Sequence, residues 1–205
     1  MAHFEVAPSV YYVPDAVTAV DETQLLACIH GNTWQQLKTR RLQCWHDAPA
    51  TPFQPWLRTL VEFLVSAGVF LPANAPNHVL INDYMPLEGI MHHTDGPAYV
   101  NRVAILSLSS SCLMTFRPRL SAEELQTSSA IDEFSVLLRP RSLLVFTDAV
   151  YSDMMHGIAD SAPVETIGAT CPCINKALAA AADGDCIVRA GRTSLTVRKM
   201  LAHGP

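Results

Sequence analysis

At 205 residues, with 49% hydrophobic positions and a formal charge of −5, the chain has one domain's length and enough apolar content for a sizeable core. The charge excludes a broad, non-specific duplex-binding footprint, because lysine and arginine would have to supply it and only Lys38, Lys176 and Lys199 are lysines. No apolar run reaches membrane-spanning length, and Met1 to Val6 lacks the basic-then-apolar order of a signal peptide. The expected compartment is therefore the cytoplasm or nucleus, with no membrane association and with the six scattered cysteines reduced.

Residues 1–75 read as an N-terminal helical support layer. Thr18 to His30 is helix-like, with Leu25, Leu26 and Ile29 at helical spacing. Trp34 to Pro52 carries a basic cluster, Lys38, Arg40 and Arg41, followed by Cys44, Trp45 and His46. Pro55 to Ala67 is a stronger helix: Pro55 opens it, Leu57, Leu60, Val61, Leu64 and Val65 form one stripe, and Gly68 stops it.

From Asn77 the pattern turns to strands, at 77–85, 100–108, 111–117, 134–138, 142–147, 151–156, 186–190 and 192–199. Ser121 to Glu133 reads as a polar hairpin loop, and about 158–185 as an insertion that loops out from the core. Many short strands after two helices predict a mainly β fold, a double-stranded β-helix (jelly roll) supported by N-terminal helices. The expected organisation is one domain over residues 1–205, with the jelly-roll core at 76–199.

The polar residues of the second half carry the chemistry. His93 and Asp95 are two apart and so share one face of an extended segment, and the distant His156 can complete a facial triad. Two histidines and one carboxylate hold non-haem Fe(II) while leaving positions open for a co-substrate and dioxygen. A chain with 8 His and 11 Asp would carry about 0.4 His-x-Asp pairs by chance, so the pair needs its context. His92 is the rival ligand, but only His93 shares a face with Asp95.

That context is a set of polar strand faces. Leu80, Asn82 and Tyr84 share one face, as do Arg192, Ser194, Thr196 and Arg198, which suits a sheet with a wet, ligand-filled interior. Guanidinium forks bind carboxylates bidentately, which lysine cannot do. Arg192, with Tyr84 and Ser194, is placed to hold the far carboxylate of 2-oxoglutarate. Arg198, with Asn82, reaches its iron-chelating end or braces Asp95. Arg189 belongs to a different spacing, and His30, His78 and His203 read as structural. Cys171, Cys173 and Cys186 lack the fourth partner of a structural zinc site and are read as unliganded thiols.

The order Asn82-x-Tyr84, His93-x-Asp95, His156-Gly157 and Arg192-x-Ser194-x-x-x-Arg198 resembles the AlkB-like family of oxidative demethylases from about Val10 to Arg198. Two features depart from the family pattern. Ser194 stands where many members carry Asn, and 36 residues separate His156 from Arg192, a stretch containing the Cys171–Cys173 pair and an Ala-rich run.

The resemblance implies an Fe(II)-, 2-oxoglutarate- and O2-dependent dioxygenase that removes alkyl groups from RNA or DNA. Its partner would be a short or single-stranded nucleic acid, held near Lys38, Arg40, Arg41 and Trp45, and the enzyme would act as a monomer. Two alternatives stay open: an oxygenase of a protein or small molecule, which the acidic charge suits, and a catalytically silent nucleic-acid-binding homologue.

Overall fold

The computed structural model describes residues 4–119, 133–160 and 162–201. Its first segment is not purely helical. Strands β1 (Glu5–Ala7) and β2 (Val10–Val13) precede helix α1 (Ala19–His30), and β3 (Gln35–Gln36) and β4 (Arg41–His46) precede helix α2 (Pro55–Ser66). Then follow β5 (His78–Tyr84), β6 (Ile90–His93), β7 (Tyr99–Leu108), β8 (Cys112–Pro118), β9 (Phe134–Leu138) and β10 (Leu143–Thr147). Helix α3 (Asp148–Asp153), β11 (Met154–Ile158), β12 (Val164–Thr166), β13 (Cys186–Val188) and β14 (Arg192–Met200) complete the order.

The helix ends follow local chemistry. Thr18 Oγ1 accepts the Asp21 amide at 3.1 Å while the Thr18 amide donates to Asp21 Oδ2 at 2.9 Å, a capping box that satisfies two otherwise orphaned donors. Replacing such a cap by alanine costs about 1 kcal/mol. Helix α2 starts on Pro55 and stops before Gly68, whose φ of +72° is open to glycine at little cost.

The strands form an antiparallel eight-stranded sheet, ordered β1-β2-β10-β7-β14-β5-β4-β3, and a four-stranded sheet, β6-β11-β8-β9. Strand alternation sorts the large sheet's residues between two cores. Val79, Ile81, Ala104, Leu106, Val145, Leu195 and Val197 face the helices and pack on Ile29, Leu57, Leu60 and Leu64. Val103, Ile105, Leu144 and Phe146 face the small sheet and meet Met114, Phe116 and Val136. Each fully buried Leu, Ile or Phe contributes roughly 1.5–3 kcal/mol, offset by the entropy of ordering the chain. The result is the double-sheet jelly roll with helices on one flank that the strand pattern predicts.

Three expectations shift. The stretch 151–156 is not one strand: α3 runs to Asp153 and β11 begins at Met154. Strands β1 to β4, β6 and β12 went unread: all but β4 span only two to four residues, and β4 sits in a segment marked by its basic cluster rather than by an apolar run. The insertion does not loop out. The Ser135 amide donates to the Pro172 carbonyl at 2.8 Å and the Ile174 amide to Ser135 at 3.0 Å, and the Asn175 side chain bonds both the amide and the carbonyl of Leu137. It thereby satisfies the exposed edge of β9, which would otherwise template pairing with another chain. The Ser121–Glu133 loop lies outside the described residues except for Glu133.

Candidate active site

The two sheets converge on a narrow cavity lined by Asn82, Tyr84, His93, Asp95, His156, Arg192 and Ser194, with Leu80, Ile90, Ile105, Met114, Ile158 and Thr196 as its remaining walls. His93 ends β6 and pairs directly with His156 on β11, so the two rings lie 4.5 Å apart. Asp95 sits just beyond β6. One ligand atom from each of these three residues falls within 4.8 Å of the others.

Glycine makes the β6–β11 approach possible. A Cβ on Gly89 would lie 2.3 Å from the Ile158 carbonyl oxygen and 2.8 Å from that of Ala159. Arg189 fastens the same corner by donating to the carbonyls of Glu88 and Ala159. After Asp95 the chain turns at Gly96, and Tyr151 on α3 donates its hydroxyl to the Gly96 carbonyl at 2.6 Å. Burial pushes the Tyr151 phenol up to about 12, so it remains a donor.

The donor set fits a divalent transition metal. His93 Nδ1–H donates to the Met91 carbonyl at 2.9 Å, which fixes the tautomer and leaves Nε2 as a free lone pair. Burial holds His156 down at about 4, so the imidazole stays neutral and able to ligate. Arg198 Nη1 donates to Asp95 Oδ1, yet Oδ2 is buried with no partner. A buried carboxylate oxygen left unmet is costly, and a cation would satisfy it. His92 points elsewhere, its Nε2 lying 2.7 Å from Thr115 Oγ1.

Arg192 supplies the complementary observation. It is 2% exposed, and among the described residues no carboxylate pairs with it. Nη2 donates to Ser107 Oγ at 2.9 Å, Nη1 to Ser194 Oγ at 3.2 Å, and Nε has no partner. Tyr84, its phenol raised by burial, flanks the guanidinium, whose carbon lies 5.9 Å from the ring centroid. A buried cation held only by hydroxyls leaves charge and a donor that an anion could meet. Ser107 and Tyr151 escaped the sequence reading and Arg189 was set aside for its spacing, since only the β7–β14 register reveals Ser107 opposite Ser194 and the other two act through backbone carbonyls.

The remaining expected site residues divide. Asn82 lines the cavity but accepts from Arg40 Nε at 2.8 Å rather than meeting Arg198. Arg41 pairs with Asp83 at 2.7 Å and covers the Trp34 ring, and Lys38 is exposed on the β3–β4 turn. Trp45 is not at the cavity. It pairs with Val79 on the helix-facing side of the sheet and meets Trp56 edge-on at 6.1 Å, because strand parity turns it away from Cys44 and His46. All six cysteines are free, and Cys171 and Cys173 are buried in the docked insertion.

Fold and site together define a jelly-roll dioxygenase of the non-haem iron class. The chain belongs to the 2OG-Fe(II) oxygenase superfamily, whose family model matches residues 15–198. Its cofactors are accordingly Fe(II), 2-oxoglutarate and O2. It is 35% identical over 209 residues to a probable RNA/DNA demethylase, ALKBH6, of Danio rerio, covering 95% of this chain and 86% of that protein. It is 27% identical over 165 residues to an alkylated DNA repair protein ALKBH8 homolog of Arabidopsis thaliana, covering 68% of this chain and 47% of the relative.

Among solved structures, OsALKBH1 superposes with a TM-score of 0.60 at 14% identity over 94% of this chain and 97% of that one. A 2OG-Fe(II) oxygenase family protein from Burkholderia pseudomallei gives 0.57 at 11% identity over 93% and 84%. No helix among the described residues is long and apolar enough to cross a membrane.

Proposed function

We propose that the protein is an oxidative dealkylase of alkylated RNA or DNA, with the metal held by His93, Asp95 and His156. Arg192, Ser194 and Tyr84 grip the distal carboxylate of 2-oxoglutarate, Arg198 braces Asp95, and Asn82 orders the mouth of the cavity. The observation that carries this reading is the pairing, in one cavity, of an anion-less buried guanidinium at Arg192 with the partnerless Oδ2 of Asp95.

Bound there, Fe(II) with 2-oxoglutarate and O2 supplies an oxidant that hydroxylates an alkyl carbon while 2-oxoglutarate becomes succinate and CO2. The protein's own contributions are the tautomer of His93, the neutral ring of His156, the orientation of Asp95 by Arg198 and the exclusion of water by Ile90, Ile105 and Met114. If the oxidised carbon is a methyl on a base nitrogen, the product releases formaldehyde.

Nucleic acid as substrate is supported by the likeness to the Danio rerio demethylase and by the β3–β4 turn, where Lys38 is exposed and Arg40 reaches Asn82 at the cavity. Few phosphate contacts fit there, so a single strand or an extruded base suits the site better than a wrapped duplex. The enzyme acts as a monomer in the nucleus or cytoplasm. The test is succinate and formaldehyde release across a panel of methylated oligonucleotides with Fe(II). Turnover of a peptide or metabolite, with no oligonucleotide bound at low salt, replaces the substrate class while keeping the chemistry.

A further inference from the structure

Away from the triad, one other set of side chains converges as metal ligands do among the described residues. Cys44 and His46 are two apart on β4 and share its inward face, and His78 on β5 is the direct cross-strand partner of His46. Cys44 Sγ lies 3.3 Å from His46 Nε2 and 3.4 Å from His78 Nε2. A tetrahedral Zn(II) with bonds of about 2.3 Å to sulfur and about 2.0–2.1 Å to nitrogen separates those donors by about 3.5 Å. Both sulfur–nitrogen separations therefore stand within a few tenths of an ångström of a coordinated arrangement, and the three donor atoms all lie within 4.8 Å of one another.

We propose that Cys44, His46 and His78 form a second metal site, distinct from the iron triad, that takes a Zn(II)-class cation with water in the fourth position and staples β4 to β5.

The donor chemistry sorts the two sites. Thiolate and imidazole select zinc over hard cations, while two imidazoles, a carboxylate and open positions suit Fe(II). Cys44 and His46 are exposed and give the ion a path in, and His78 is 3% exposed and forms the floor. Burial and the neighbouring Arg198 hold His78 down at about 4, so its ring is neutral, and burial raises the Cys44 thiol. Binding must then expel the thiol proton to solvent as the sulfur–metal bond forms, releasing one proton per ion.

The site also touches the triad through one guanidinium. Arg198 Nη2 donates to His78 Nδ1 at 3.3 Å while Nη1 holds Asp95. In that state the His78 ring proton sits on Nε2 and faces the Cys44 sulfur. Coordination through Nε2 moves this proton to Nδ1, and Arg198 must release His78 while keeping Asp95. The staple ties β4, which follows the Lys38–Arg41 turn, to β5, at the end of the large sheet where β4 is held by β5 on one side and only by the two-residue β3 on the other.

Cobalt(II) tests the assignment in the metal-free full chain. The iron triad contains no sulfur, so an intense near-ultraviolet thiolate-to-cobalt band reports a cysteine site alone. The expected result is a band that saturates with cobalt, disappears on adding zinc, is lost in Cys44→Ser and titrates at higher cobalt in His46→Ala. Both replaced residues are at the surface, and circular dichroism of each variant checks that the fold is kept. Absence of the band, a band that survives Cys44→Ser, or a titration unmoved by His46→Ala overturns the site.

Discussion

Arg192 makes opposite demands on the empty fold and on the complex, and replacing it by methionine separates them. In the complex, two charge-assisted bonds from the guanidinium to a carboxylate are each worth about 1.5–3 kcal/mol. Losing both costs about 3 kcal/mol or more, which is at least ~100-fold in 2-oxoglutarate affinity. In the ligand-free protein the same cation is buried with two hydroxyl partners and an unmet Nε. Methionine relieves that desolvation, worth several kcal/mol, but gives up two charge-assisted hydrogen bonds to serine hydroxyls, each worth about 1.5–3 kcal/mol. The two contributions nearly cancel, so Arg192→Met leaves the ligand-free stability within about 1 kcal/mol of wild type.

For a chain of this length 1 kcal/mol moves the melting point by about 2–4 °C. The assay is thermal unfolding with and without 2-oxoglutarate in the presence of Mn(II), alongside calorimetric titration. Wild type melts higher with the ligand, by about 2.7 kcal/mol of stabilisation at a hundred times Kd, and the variant melts close to wild type without it but gains at most about 0.4 kcal/mol at the same ligand concentration. An unchanged affinity, or a ligand-free variant that melts well below wild type, refutes the assignment of Arg192 as the carboxylate receptor.

Gly89→Ala drives a Cβ into the Ile158 carbonyl, so β6 must part from β11; about 1–3 kcal/mol of stability is lost and Fe(II) binding weakens, as read by melting and metal titration. His93→Ala abolishes 2-oxoglutarate turnover, whereas His92→Ala retains much of it because that ring serves Thr115; succinate release under saturating iron distinguishes them. Arg198→Ala strands the Asp95 carboxylate and destabilises the metal-free fold by about 3–5 kcal/mol, and added Mn(II) raises its melting point more than that of wild type. Reversing Arg40 to glutamate weakens oligonucleotide binding in a fluorescence anisotropy titration and leaves uncoupled 2-oxoglutarate decay in place.

The residue types of the candidate site, and their grouping within single strands, are properties of the sequence. His93 and Asp95, Asn82 and Tyr84, and Arg192, Ser194 and Arg198 each stand at even spacing, and a strand's period of two puts them on one face wherever that strand goes. The helices over 19–30 and 55–66 were legible for the same local reason, through apolar residues at helical spacing, an opening proline and a stopping glycine, whereas the Thr18 cap emerged only in the structure.

What crosses between strands was not legible. That Ser107 faces Ser194 and that His78 lies beside His46 depend on register, which long-range packing of the two cores sets and no local signal encodes. His156 was joined to His93 by the triad pattern and the family resemblance rather than by any local signal. Trp45 shows the size of the effect. One residue from Cys44 and one from His46, it faces the helices while they face the interior, because burying Val79 and Ile81 against α2 fixes the parity of the neighbouring strand. The insertion is decided the same way: its extra length reads as a loop until Asn175 meets the open edge of β9, whose unpaired backbone exists only once the sheet has formed.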